Sequence, residues 1–165
     1  MNKKNLLLVL LLALLSGCNT SDVTDDGEAS ITDFYIIGSN NNDRRTTPII
    51  DPYDDKGRFL VFIETIKPRL GYKLSLSLSP NTSTNDAVSI FYIECDDDNP
   101  ACYDNEYLAL SCTYQPDFLG QCSMGEPYDL NGLIKAIPYS GYLIAKLCHR
   151  VENTCTTYSQ RIVLL

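Results

Sequence analysis

Six cysteines between residues 95 and 155 constrain the fold of this 165-residue chain more than any other feature. An even number of cysteines in a small exported domain is typical of a disulfide framework. Zinc sites prefer cysteines two to four residues apart and redox centres a Cys-x-x-Cys pair, and neither spacing occurs, so we expect no metal. Six cysteines can form three disulfides in fifteen ways. Because six-residue separations suit bridges across short hairpins, we predict the sequential set: Cys95–Cys102, Cys112–Cys122 and Cys148–Cys155.

The first seventeen residues have the pattern of an export signal. Lys3 and Lys4 form a positive start, and an unbroken apolar run follows from Leu6 to Leu15. A bilayer-spanning helix needs about 20 apolar residues, so this run is too short to cross and fits the apolar region of a signal peptide. We therefore predict that residues 1–17 are removed and that the remaining chain is exported, which agrees with the disulfide interpretation.

The residues Leu15-Ser16-Gly17-Cys18 resemble the lipobox of bacterial lipoproteins. The resemblance implies cleavage before Cys18 and attachment of diacylglycerol to its thiol, whereas an ordinary secretory signal would leave the cysteine unmodified. Two or more acyl chains hold a protein stably on a membrane. In that family an Asp after the cysteine favours the inner membrane; Asn19 stands here, which implies a lipid anchor in the outer membrane, facing either the periplasm or the cell surface.

After Cys18, the charge pattern predicts a tether and argues against a nucleic-acid partner. Residues 18–30 are polar and acidic, which favours a disordered linker reaching roughly 20 Å between lipid and domain. Without Lys3 and Lys4, the mature chain has 11 basic against 21 acidic residues, a net charge near −10. Arg44 and Arg45 are only an isolated basic pair. Since phosphate backbones require basic surfaces, we expect no nucleic-acid partner.

Residues 31–165 read as one domain of short strands separated by turns. Tyr72–Ser79 alternates apolar and polar residues at every position, as in a half-buried strand. Phe59–Ile66 is partly apolar on both faces, which is typical of a central sandwich strand. The pattern predicts at most one short helix or turn, at Asp129–Ile137. Further strands are predicted at Phe34–Ile37, Val88–Cys95, Tyr107–Tyr114, Tyr142–Cys148 and Thr156–Leu164.

These elements predict an all-β sandwich with a disulfide-stapled, cysteine-rich insert at about 95–122. The segment Pro138-x-Ser140-x-Tyr142-x-Ile144 resembles the pattern before strand F of fibronectin type III domains. The resemblance implies a fibronectin-like or immunoglobulin-like sandwich, with Tyr142 as the tyrosine corner. The chain departs from that family in having no tryptophan and in its cysteine-rich region.

The sequence offers little for catalysis. His149 is the single histidine, and its place beside Cys148 predicts an exposed hairpin residue. The acidic runs at 96–98 and 51–55 lack the Gly and Glu positions of an EF-hand, so solvated loops are expected. We expect neither enzymatic activity nor a cofactor. A glycan-directed hydrolase with paired carboxylates is the alternative, since such pairs meet only in space.

Aromatic residues around the insert are the candidate binding residues. Tyrosine and phenylalanine are favoured in interface cores, which suggests a non-catalytic binding or assembly module for a protein or glycan partner in the cell envelope. The competing interpretation is that these side chains pack the insert onto the sandwich. A purely structural or calcium-dependent lipoprotein is a further alternative. The candidate residues are Tyr103, Tyr107, Tyr114, Phe118 and Tyr128.

Overall fold

A computed structural model of the chain describes residues 27–38, 43–44, 46–68, 70–96, 102, 107–123 and 125–165. The predicted signal peptide, Cys18 and residues 19–26 of the predicted tether lie outside the described residues. The tether was predicted to extend to residue 30, but Ala29 is buried and Ser30 already begins a strand. Polar composition alone did not indicate this, because the burial of Ala29 depends on a distant strand.

The described residues form two five-stranded sheets and one 3₁₀ turn at Asp55–Gly57. Sheet 1 has the order β1-β3-β6-β7-β8, and sheet 2 has the order β2-β10-β9-β4-β5. Every pairing is antiparallel except that of β2 with β10. The strands are β1 Ser30–Gly38, β2 Ile49–Ile50, β3 Arg58–Ile66, β4 Tyr72–Ser79, β5 Val88–Cys95, β6 Tyr107–Tyr114, β7 Leu119–Cys122, β8 Tyr128–Asp129, β9 Tyr139–His149 and β10 Cys155–Leu164.

This strand order is that of an immunoglobulin-like sandwich. Such folds place strands A, B and E in one sheet and strands G, F and C in the other. Here β1, β3 and β6 take the first three positions, and β10, β9 and β4 take the second three. The strand β7 lies where strand D is expected but follows β6 in the chain, so the two form a hairpin. The predicted all-β sandwich is confirmed.

The core lies between the inward faces of the two sheets. Alternation along the strands directs Val61 and Leu110 inward from sheet 1 and Leu76 and Ala145 inward from sheet 2, and all four are fully buried. Burial of apolar surface of this kind supplies most of the favourable free energy of folding. The segment predicted as a cysteine-rich insert, at about 95–122, is part of the sandwich, because it contains β6, which supplies part of this core.

One feature implied by the sequence differs in the structure, and a second is decided by it. Tyr142 is half-buried and lies outside the core cluster, whose β9 members are Leu143, Ala145 and Leu147, so Tyr142 does not take the inward position of a tyrosine corner. The segment Asp129–Ile137, predicted as a short helix or turn, contains a turn and no helix, so the second of these alternatives is the observed one. The Asp129 carboxylate accepts a hydrogen bond from the Asn131 backbone N–H at 2.8 Å, a local turn that competes with a helical start.

The first strand closes one side of the sandwich. The Thr156 hydroxyl on β10 donates to the Ala29 carbonyl at 3.2 Å and lies 3.3 Å from the Ile31 backbone N–H, which donates to it. Ser30 pairs with Ile66, and Tyr72 pairs with His149, so the N-terminus, the β3–β4 loop and the β9–β10 hairpin share one end. We call this the N-terminal end.

All three predicted disulfides are confirmed. Cys112–Cys122 joins facing residues of β6 and β7, and both cysteines are fully buried. Cys148–Cys155 joins facing residues of β9 and β10 at the N-terminal end, where Cys155 is exposed. Cys95–Cys102 ties the end of β5 to the following loop.

The different burial of two disulfides predicts different costs of removal. Their loops are similar, with sequence separations of 10 and 7 residues, so chain entropy assigns each about 2.5–3 kcal/mol. Replacing Cys112 and Cys122 with Ala also empties space in the core, adding about 1–2 kcal/mol. We therefore expect the Cys112→Ala/Cys122→Ala variant to lose more stability than the Cys148→Ala/Cys155→Ala variant in equilibrium urea unfolding. Equal losses would contradict the packing argument.

Candidate binding surface

The interior strand β3 of sheet 1 is partly apolar on both of its faces. Alternation along β3 directs Phe59, Val61 and Ile63 into the core. The same alternation directs Leu60 and Phe62 to the outer face of the sheet, where both are half-buried. A strand needs only one apolar face to join a sandwich, so the second face requires a separate explanation.

Neighbouring strands extend this apolar outer face. The register places Ile37 opposite Leu60, and Ala109 opposite Phe62. Towards the N-terminal end, Tyr107 lies opposite Glu64, and Ile66 follows on the same face of β3. Ile66 is 55% exposed and Tyr107 is 45% exposed. We name this surface the outer patch; it consists of Ile37, Leu60, Phe62, Ile66, Tyr107 and Ala109.

A stacked aromatic pair supports the centre of the outer patch. The rings of Tyr35 and Phe62 lie 4.7 Å apart and nearly parallel. The Arg44 guanidinium covers the Tyr35 ring at 4.0 Å and donates to the Tyr35 hydroxyl at 3.1 Å. Arg44 also pairs with Asp33 at 3.3 Å. Cation–π contact and stacking hold the Tyr35 ring in one position, so Phe62 is presented on a fixed support.

A groove of about 350 Å³ borders the outer patch at the end away from the N-terminus. Ile37 and Leu60 form its apolar floor, and Asp55, Arg58 and Ser111 supply its polar rim. An apolar centre with a polar rim is the usual composition of a protein-binding surface.

The outer face of β4, in sheet 2, is different in character. There β4 presents Lys73, Ser75 and Ser77, which alternate with the buried Leu74 and Leu76. Polar residues on the solvent side are what an antiparallel sheet with one bare face requires. The apolar outer face of β3 is therefore not repeated on β4.

The five candidate aromatic residues do not form one surface. Tyr107 alone belongs to the outer patch. Tyr114 and Tyr128 are buried in the core, and Phe118 packs against it near the far end. Tyr103 lies outside the described residues. For three of the five, the competing interpretation, packing onto the sandwich, is the one that the structure matches.

Tyr128 is buried because Gly120 leaves room for it. A Cβ atom at Gly120 would collide with the Tyr128 ring and with the Thr113 carbonyl. The Tyr128 hydroxyl donates to that carbonyl at 2.7 Å. Burial, together with the neighbouring Tyr114, strongly raises the pKa of Tyr128. Sequence spacing alone does not indicate this pairing, since it joins β8 across β7 to β6.

His149 is not the exposed hairpin residue that the sequence predicts. Its side chain is 1% exposed, and its Nδ1 atom lies 3.1 Å from the backbone N–H groups of both Val151 and Glu152, which donate to it. The imidazole therefore shapes the tip of the β9–β10 hairpin. His149 is the last residue of β9, and the residues of the following turn fold back over it, so the side chain is buried.

Two of the described carboxylates have structural roles. The Asp51 carboxylate accepts the Tyr53 backbone N–H at 2.9 Å and thereby holds a turn. The Tyr92 hydroxyl, which donates to Glu94 at 2.8 Å, is the main cause that lowers the pKa of Glu94. Among the described residues, no group of three or more His, Cys, Asp or Glu side chains has the arrangement of a metal site.

Comparison of the chain with protein-family models, with curated proteins and with solved structures finds no match. In the part of the chain that the structure describes, no helix has the length and apolar character needed to span a bilayer. The outer patch is thus the candidate site on its geometry, because it combines exposed apolar side chains, a rigid aromatic centre and a polar rim.

The raised pKa of Tyr128 predicts loss of stability in alkali. An ordinary tyrosine has a pKa of about 10, so the unfolded chain releases its proton first. The stabilisation is complete below about pH 10 and is lost as the pH rises further, by up to about 1.4 kcal/mol per pH unit. We expect the melting temperature of Tyr128→Phe to fall less steeply above pH 10 than that of the wild type.

The Tyr128→Phe variant also loses its hydrogen bond to Thr113, which costs about 1 kcal/mol at neutral pH. Therefore only the slope of the melting temperature against pH tests whether the raised pKa of Tyr128 contributes to the loss of stability in alkali. Tyr53→Phe is the matched control, since Tyr53 is 83% exposed, and its slope should equal that of the wild type. Equal slopes for all three proteins would show that Tyr128 is not the cause of the loss of stability in alkali.

Proposed function

We propose that this protein is a lipid-anchored envelope lipoprotein whose sandwich is a non-catalytic binding module for a protein partner. The observation that carries the binding role is the second apolar face of β3, where Leu60 and Phe62 point away from the core. The residues Leu15 to Cys18 carry the proposed anchor.

The outer patch has the composition of a binding surface rather than of a solvated one. Its rim holds both signs of charge, with Arg58 and Glu64 on β3 and Asp33 on β1. Its centre holds aromatic and aliphatic side chains, which are favoured in the cores of interfaces. Burial contributes about 25 cal/mol per Å², so covering such a surface favours association.

A protein partner fits the outer patch better than a glycan does. Recognition of a sugar depends on precisely placed polar groups within the site, and the centre of the patch is formed by Leu60, Phe62 and Ala109. A flat apolar sheet face offers few donors or acceptors to hydroxyl groups. It does suit the apolar face of another protein element.

The proposed anchor restricts the orientation of the patch. The first strand begins at Ser30, which pairs with Ile66, and the twelve residues after Cys18 reach roughly 20 Å. The Ile66 end of the patch therefore faces the membrane. A nine-residue strand adds about 30 Å, so a partner would bind within a layer about 50 Å deep.

The proposed anchor predicts a modified N-terminal residue. We expect mass spectrometry of the native protein to find a mature chain that begins at Cys18 and carries diacylglycerol. Cys18→Ser should abolish lipid attachment, because serine has no thiol. A mature chain with an unmodified Cys18 thiol would refute the anchor and leave the binding role to be tested separately.

The outer patch is tested by photo-crosslinking in intact envelopes. A benzophenone amino acid replaces Ala109, which is exposed within the patch, and in a second protein replaces Ser159, which is exposed on β10. We expect a discrete protein adduct from position 109 and none from position 159. Adding Ile66→Ser and Tyr107→Ser should remove the adduct, since both remove apolar contact area.

A closely matched control is present in the chain. Ile137 is 55% exposed, like Ile66, and Tyr158 is 47% exposed, close to Tyr107. Replacing Ile137 and Tyr158 with Ser should therefore leave the adduct intact. Loss of the adduct in both double variants, or an adduct that glycan-degrading enzymes remove, would refute protein binding through the outer patch.

A further inference from the structure

The strand β5 offers a second, separate place for a partner. It is the terminal strand of sheet 2 and is eight residues long. One of its edges pairs with β4, and the other pairs with no strand among the described residues. Such an edge presents backbone N–H and C=O groups that an added strand can satisfy.

A groove of about 440 Å³ runs between β5 and the short edge strand β8 of the opposite sheet. Phe91, Tyr128 and Pro127 provide its apolar surface. Ser89 and Tyr92 line it along β5, so it follows four residues of that strand, or about 13 Å. The groove thus lies where the side chains of an added strand would project between the sheets.

The sheet 1 side of this groove carries uncompensated negative charge. Glu126 and Asp129 line the groove, and both are exposed. Neither forms an ion pair with a described cation; one Asp129 oxygen accepts hydrogen bonds from Asn131. By contrast, Glu94 near the end of β5 is paired with Lys73 at 3.7 Å and with Arg150 at 3.4 Å.

We propose that β5 accepts an extended basic segment of a partner protein by antiparallel or parallel strand addition. The guest backbone pairs with the open edge of β5. Alternate Lys or Arg side chains of the guest enter the groove, where their aliphatic stems pack on Pro127 and Tyr128 and their charged ends reach Glu126 and Asp129. Long basic side chains combine apolar stems with polar tips in this way.

The charge of the groove selects against a second copy of this chain. A second copy would bring its own acidic groove to the same edge, and the chain has a formal net charge of −8. Like charges brought together cost free energy, whereas a basic segment neutralises the groove. The proposal rests on the β5 edge alone, so it holds whether or not the outer patch and the lipid anchor are confirmed.

The test uses the disulfide-bonded domain and three capped eight-residue peptides. The first alternates Lys and Val, the second alternates Glu and Val, and the third is the Lys–Val peptide with alternate backbone nitrogens methylated. We expect the Lys–Val peptide to bind at least tenfold more tightly than either of the others. Hydrogen exchange should slow at amides within Ser89–Glu94 and remain unchanged in β1 and β3.

Charge-neutralising variants separate the groove from general attraction. Glu126→Gln with Asp129→Asn should weaken binding of the Lys–Val peptide at least fivefold, while the amide introduced by Asp129→Asn retains an oxygen for the turn. Glu28→Gln with Glu152→Gln removes the same charge from exposed positions elsewhere and should change binding less than twofold. No binding, equal binding of the methylated peptide, or protection confined to sheet 1 would each overturn the proposal.

Discussion

Contact between the inward faces of the two sheets is the interaction on which the rest of the molecule depends. A strand shifted by one residue would direct its inward side chains to solvent, so the burial of Leu76 fixes the register of β4. The strand β3 is different, because Leu60, Phe62 and Ile66 make its outer face partly apolar as well. Its register depends on the charged Arg58 and Glu64 of its outer face, which a shift by one residue would direct into the core. It depends also on its neighbours, the inward Leu110 and Cys112 of β6 and the outward Asp33 of β1.

The Cys112–Cys122 disulfide also supports the pairing of β3 with β6. It fixes the β6–β7 hairpin in the layer where β6 also pairs with β3. A stable β6 in turn supports β3 in the register that leaves Leu60 and Phe62 outside. The Cys112–Cys122 disulfide therefore supports the strand pairing that places Leu60 and Phe62 on the outer face.

The parts of the fold that sequence could predict are those with strong local periodicity. Tyr72–Ser79 and Val88–Cys95 have the bounds that alternation and turn residues indicate. The short strands β2, β7 and β8 were not predicted, because two to four residues carry little pattern and depend on pairing with distant strands. The same reason applies to His149, whose burial is decided by the path of the hairpin.

The candidate site was only partly predictable for a related reason. The sequence shows that Phe59–Ile66 is partly apolar on both faces, but it does not show which face another sheet will cover. Tyr107 was identified as an aromatic candidate and lies in the outer patch. Tyr114 was identified by the same criterion and is buried. It follows Tyr107 by seven positions on the same strand, and an odd number of positions reverses the direction of the side chain.

The two proposed surfaces lie on different sides of the sandwich, and this arrangement has a consequence for assembly. The outer patch covers the face of β1, β3 and β6, whereas the groove opens between β5 and β8 at the side. A partner on one surface therefore leaves the other accessible. Two weak contacts to one assembly become strong when the second forms within a tethered complex, since the local concentration reaches the millimolar range. A short lipid tether would add the same effect for any partner held at that membrane.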